Sequence, residues 1–97
     1  MRPALLALFL CSAGPALAET LPFEGKWDCE VGTFTFTGQI YDPGGDPMDI
    51  LDATQEDGVW VLTFADDYQI SLEMNADGTM GWYSPISGDS FLCKPLP

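Results

Sequence analysis

The chain of 97 residues carries fifteen Asp and Glu, three Lys and Arg, and no His. Without imidazole, the side chain that most often moves protons at neutral pH and binds metals is missing. Ser, Thr and Cys therefore have no His base to activate them, and no glycine-rich stretch sits between a strand and a helix as a phosphate cradle. Chemistry would have to rest on carboxylates, Tyr or two lysines. The adjacent Asp66-Asp67 pair suits acid–base work in kind, but neighbours in extended chain point apart, and hydrolytic carboxylates must flank a substrate cleft. Asp42, Asp46 and Asp49 around Gly44-Gly45 could offer oxygens to Ca²⁺, yet their D-x-x-x-D-x-x-D spacing misses the EF-hand register. A solvated acidic loop is the plainer reading. We expect no catalytic residues, no metal and no cofactor; a carboxylate-based hydrolase is the alternative.

The same charge restricts partners. A formal net charge of −12 is repelled by the phosphate backbone on which nucleic-acid affinity rests and by anionic membrane surfaces. A protein partner, in the cell envelope or outside the cell, is the class left open.

Residues 1–18 read as a secretory signal peptide. Arg2 gives a positive start, residues 4–11 are an unbroken apolar run, and Ala16-Leu17-Ala18 is an A-x-A cleavage pattern. The run is too short to cross a bilayer, which needs about twenty apolar residues. Leu10 precedes Cys11 where a lipid-acceptor cysteine needs a small residue, so no membrane attachment is expected after cleavage. Residues 19–97 then form a single domain with Lys26 and Lys94 against fifteen carboxylates, a net charge of −13. Two cysteines stay with it, Cys29 and Cys93. With no His and no C-x-x-C spacing they make a poor zinc site, and in an oxidising compartment they should pair. Closing a loop of about 65 residues is worth about 4 kcal/mol, a large share of a small domain's stability. The expected address is periplasmic or secreted.

The elements that must position these groups read as short strands. Thr33-Phe34-Thr35-Phe36-Thr37 alternates with a period of two and continues through Gln39-Ile40-Tyr41, with Gly38 a bend. Residues 59–64 and 68–74 are the clearest strands; the second puts Tyr68, Ile70, Leu72 and Met74 on one face and polar residues on the other. Residues 24–30, 79–84 and 90–94 add three more. Residues 48–54 read as a strand, against a helix that Asp46 could cap with Pro47 at its first position. Asp57-Gly58 and Asp77-Gly78 are hairpin turns. The expectation is an all-β, antiparallel up-and-down meander of about seven strands, closed or partly closed into a barrel with its ends joined by the disulfide. A two-layer sandwich is the alternative.

Trp27, Trp60, Trp82 and Tyr83 could line a ligand pocket, but in so small a domain aromatics are mostly core. Trp82 and Tyr83 are neighbours on one strand, so they face opposite ways. With Trp82 in the core beside Met80, Tyr83 faces out, and the loop that follows brings Ile86 to the surface. Tyr83 and Ile86 are the candidate binding patch.

Gly25-Lys26-Trp27 in the first strand resembles the G-x-W signature of calycin barrels, which include lipocalins, avidins and small bacterial periplasmic metalloprotease inhibitors. Asp67-Tyr68 is similar to part of the lipocalin T-D-Y motif, with Asp66 where that motif has Thr. The likeness covers about five residues. It implies a non-enzymatic barrel with Trp27 closing one end, which binds a small apolar ligand or inhibits a protease. The expected function is a binding module acting by surface contact, as an inhibitor or accessory protein; a small apolar-ligand carrier is the alternative.

Overall fold

The computed structural model describes residues 21–97; the signal-peptide reading of residues 1–18 lies outside them. The described chain is all-β. Nine strands run β1 (Gly25–Asp28), β2 (Thr33–Phe36), β3 (Ile40–Asp42), β4 (Met48–Asp49), β5 (Asp52–Glu56), β6 (Val59–Thr63), β7 (Gln69–Met74), β8 (Met80–Tyr83) and β9 (Ser90–Pro95). All pairings are antiparallel, in the spatial order β4-β3-β2-β1-β9-β8-β7-β6-β5. The meander curls into a half-barrel with its first and last strands paired at the middle of the sheet.

Two stretches expected to be single strands are broken, which raises the count from seven to nine. Residues 33–41 form a hairpin rather than one bent strand, with Phe36 opposite Tyr41. Thr37 is the cause: its hydroxyl accepts the Gln39 and Ile40 amides at 3.1 and 2.9 Å, a side-chain turn that reverses the chain. Residues 48–54 are extended, not helical, but change partners midway. The Ile50 amide donates to the Gln39 carbonyl at 2.8 Å, and the next amide, Leu51, donates to Thr63 at 2.8 Å. The two edges of the sheet are therefore consecutive in sequence. Asp52 and Glu56 end the outer edge strand with charge, a common guard against edge-to-edge pairing.

The inner face is aromatic. Phe23, Trp27, Phe34, Phe36, Tyr41, Phe64 and Trp82 are buried with Leu62, Ile70, Leu72 and Met80. Their rings meet with centroids 4.7–6.3 Å apart, from Phe23 on Phe36 to Trp82 on Phe91. Phe23 comes from the segment before β1 and packs edge-on against Trp60 across the half-barrel. Trp27 fixes that segment by donating its indole N–H to the Phe23 carbonyl at 2.9 Å. Trp27, whose flanking residues resemble the calycin signature, is thus a clamp on the N-terminal segment, with a backbone carbonyl as its polar partner.

The bridge between Cys29 and Cys93 is formed. Register explains it: Asp28 stands opposite Lys94, so the next pair outward is the two cysteines, both fully buried. The turn after β1 carries Glu30 at φ 70°, and its carboxylate accepts the Leu92 amide at 2.7 Å.

The tight turns follow the expected chemistry at Asp57-Gly58, both at positive φ, as a two-residue type I′ hairpin requires. The β6–β7 turn solves the same problem with Asp66 and Asp67, at φ 61° and 60°. The Tyr68 amide closes it on the Ala65 carbonyl at 3.3 Å. A left-handed conformation strains any residue with a Cβ, and glycine adopts it freely. Asp67→Gly is accordingly expected to stabilise the domain by about 0.5–1 kcal/mol, raising the melting temperature by several degrees in a thermal melt. A lower melting temperature would mean that the Asp67 carboxylate holds the turn by contact.

Candidate functional site

Strands β6 to β9 place one face inward and the other in solvent. Alternation sends Trp60, Leu62, Ile70, Leu72, Met80, Trp82 and Cys93 to the core, so Val59, Val61, Ser71, Glu73, Gly81, Tyr83, Ser90 and Leu92 look out. Cross-strand register lines the outward residues into two rows. Val59, Glu73, Gly81 and Leu92 stand opposite one another in sequence, and Ser71, Tyr83 and Ser90 form the row beside them. Gly81 contributes no side chain, so the face is hollowed there. The result is a solvent-open groove of about 510 Å³, with Val59, Tyr83 and Leu92 as its apolar walls and Glu73 as its charge.

Tyr83 is 45% exposed and Leu92 46% exposed, whereas Trp82 is only 7% exposed. The structure brings Tyr83 into the groove. Ile86, 74% exposed, stands in the β8–β9 loop and does not line it. That loop is held by the Ser84 carbonyl accepting Gly88 N at 2.7 Å and by the Ser84 amide donating to Asp89 at 2.9 Å. Leu92, Val59 and Gly81 were not anticipated as site residues. A signal existed for Leu92: once Cys93 is assigned inward, its neighbour must face out. Gly81 offered none, because its importance comes from the strands beside it.

The Asp66-Asp67 pair and the Asp42–Asp49 loop, weighed in the sequence and not favoured as sites, do not line this groove. Asp66 and Asp67 sit exposed in the β6–β7 turn. Asp42 accepts the Gly44 and Gly45 amides at 2.8 and 3.1 Å through one oxygen, so it orders its own loop. Among the described residues no three His, Cys, Asp or Glu side chains gather as a metal site. A second open depression, about 330 Å³, lies where the chain passes from β4 to β5 and is lined by Asp49 and Asp66 together with Met48, Leu51 and Phe64. Both carboxylates are exposed.

Among the described residues, the indole N–H groups of Trp60 and Trp82 are buried and make no hydrogen bond of good geometry. Burial pushes the Tyr41 phenol far above its ordinary value, with the Trp82 indole opposing the shift and Tyr68 and Asp42 adding to it. Tyr41 therefore stays protonated at physiological pH and supplies no phenolate nucleophile. At the surface, Asp77 is held below the usual carboxylate range by the Thr79 hydroxyl and amide; it fastens the β7–β8 turn.

No helix among the described residues is long and apolar enough to cross a membrane. The chain matches no family model, no curated protein and no solved structure at a significant level.

Proposed function

We propose that this protein is a secreted or periplasmic binding module that acts by surface contact, as an inhibitor or accessory protein, and not as an enzyme. The observation that carries the reading is the outward groove at Tyr83: an aromatic and two aliphatic side chains displayed together on a sheet whose inner face is packed and stapled by a disulfide. A rigid sheet presents such a patch with little ordering cost on binding. Tyrosine lining a groove is a frequent anchor of protein contacts. Ile86, on its ordered loop nearby in sequence, extends the reach of the surface. The A-x-A signal pattern and the disulfide support an oxidising compartment, and the G-x-W likeness to calycin barrels fits a non-enzymatic role.

The carrier reading has one observation in its favour, the indole N–H groups of Trp60 and Trp82 inside the half-barrel, which make no hydrogen bond of good geometry. Against it stands the aromatic packing of that interior, which leaves the described grooves on the outside.

The test is comparative capture. The immobilised protein and its Tyr83→Ala variant are exposed to an envelope extract and to culture medium. The expected result is a defined set of proteins held by the native surface and lost with Tyr83→Ala, with Ile86→Ala weakening the same set. Identical capture by native and Tyr83→Ala surfaces would overturn the reading.

A further inference from the structure

We propose that the groove receives an arginine side chain from a basic protein partner, laid on Gly81 between Tyr83 and Leu92 with its guanidinium on the Glu73 carboxylate. The inference rests on the surface-contact reading and assigns the chemistry of the partner.

Three features specify the cation. First, the floor is bare. The three atoms nearest to a Cβ added at Gly81 all belong to Glu73, its Cβ at 3.8 Å and its carbonyl oxygen and Oε1 at 4.0 Å, so the hollow and the carboxylate adjoin. A flat group fits there against backbone, and Tyr83, two residues along the same strand, lines the same groove. Second, carboxylates continue on both sides. Register sets Glu56 opposite Val59 and Val59 opposite Glu73, while Glu30 lies against the Leu92 amide at the other end. The cation on this face of β9 is Lys94, one step past Cys93 and opposite Asp28. Third, the whole protein is strongly acidic, which draws a basic partner toward the surface and raises the rate of encounter.

Arginine fits these features better than lysine. Its guanidinium is planar, donates two parallel hydrogen bonds to one carboxylate and stacks on aromatic faces, whereas an ammonium is a strongly hydrated point charge. An apolar anchor alone would leave the Glu73 carboxylate desolvated without a partner, which is unfavourable. The groove therefore discriminates by charge as well as by shape.

The experiment titrates the isotope-labelled, oxidised protein with acetyl-Leu-Arg-Leu-Arg-Leu-amide, and with the peptides in which Lys or Gln replaces Arg, while following backbone amide shifts. The arginine peptide is expected to move Gly81, Glu73, Tyr83 and Leu92, to bind about tenfold more tightly than the Gln peptide, and to bind more tightly than the Lys peptide. Glu73→Gln should remove most of the preference for Arg over Gln. Gly81→Val should abolish the shifts without lowering the melting temperature, because position 81 has ordinary strand backbone, room for a Cβ and a β-branched residue suited to it. Equal binding of the Arg and Gln peptides at this face would overturn the arginine assignment and leave the surface-contact reading standing. Shifts confined to other acidic segments, or binding unchanged by Gly81→Val, would overturn the assignment as well. Loss of the surface-contact reading itself is seen separately, as capture that survives Tyr83→Ala.

Discussion

Loss of the Cys29–Cys93 bridge is expected to lower the melting temperature by about 15–30 °C. The link joins β1 to β9 across 64 positions of sequence, and chain-entropy arguments assign a loop of this length about 4 kcal/mol. In a domain of this size each kcal/mol corresponds to about 4–8 °C. The strands it joins are the place where the meander closes on itself, and the register between them is short: Trp27 stands opposite Pro95 and Asp28 opposite Lys94, with one further hydrogen bond from the Leu96 amide to the Lys26 carbonyl at 2.9 Å. Without the bridge, this short ladder must bring the ends together against the full entropy of the chain. Both cysteines are fully buried, so reductant added to the folded protein has poor access. The decisive measurement reduces the protein in denaturant, blocks or mutates both thiols to Ala, refolds it and compares melting curves. A difference of less than about 5 °C would show that the β1–β9 contact is self-sufficient, contrary to the small contribution expected of so short a ladder.

The bridge also illustrates what one sequence discloses. Once the signal-peptide reading sets Cys11 aside, Cys29 and Cys93, neither in a metal-binding pattern, leave a single way to pair in an oxidising compartment, so this link was legible. The facing of β7 was legible as well, because Ile70 and Leu72 alternate with Gln69, Ser71 and Glu73 without interruption, and Ile70 and Leu72 are buried. The hairpin at Thr37 was not. Threonine is a good strand residue, and nothing in the Thr-Phe alternation reveals that this one turns its hydroxyl onto the amides two and three residues ahead. The change of partner between Ile50 and Leu51 left still less trace, since it is carried by backbone amides that every sequence has. The groove falls between these cases. Its Tyr83 wall could be deduced from the inward choice of Trp82, but the hollow is made by a missing side chain at Gly81 seen against Glu73 and Leu92. That relation exists only once the register of three strands is known.

Trp82→Ala is expected to destabilise the domain by about 3–5 kcal/mol, while Tyr83→Ala, one residue on, changes stability by less than about 1 kcal/mol. The contrast comes from alternation alone. Trp82 packs on Phe91 with ring centroids 5.1 Å apart and on Phe34 at 5.6 Å, so it ties β8 to both β9 and β2, and its removal opens a cavity that rigid aromatic neighbours cannot fill. Tyr83 contributes its ring to the solvent-open groove and leaves no internal void. A second variant separates packing from hydrogen bonding. The Trp82 indole N–H is buried and makes no hydrogen bond of good geometry, with the Tyr41 phenol as its one weak partner, so Trp82→Phe gives up little hydrogen bonding; it should cost much less than Trp82→Ala despite the lost ring volume. Urea titrations with a shared slope place all three on one scale, provided the slope itself is unchanged. If Tyr83→Ala proves the more disruptive of the two alanine variants, the facing of β8 is inverted. The binding surface built on Tyr83 then falls with it, and Trp82 becomes the exposed anchor. If Trp82→Phe is as damaging as Trp82→Ala, the indole nitrogen has a partner in solution, for which the Tyr41 phenol oxygen is the first candidate, and Tyr41→Phe would then cost a similar amount.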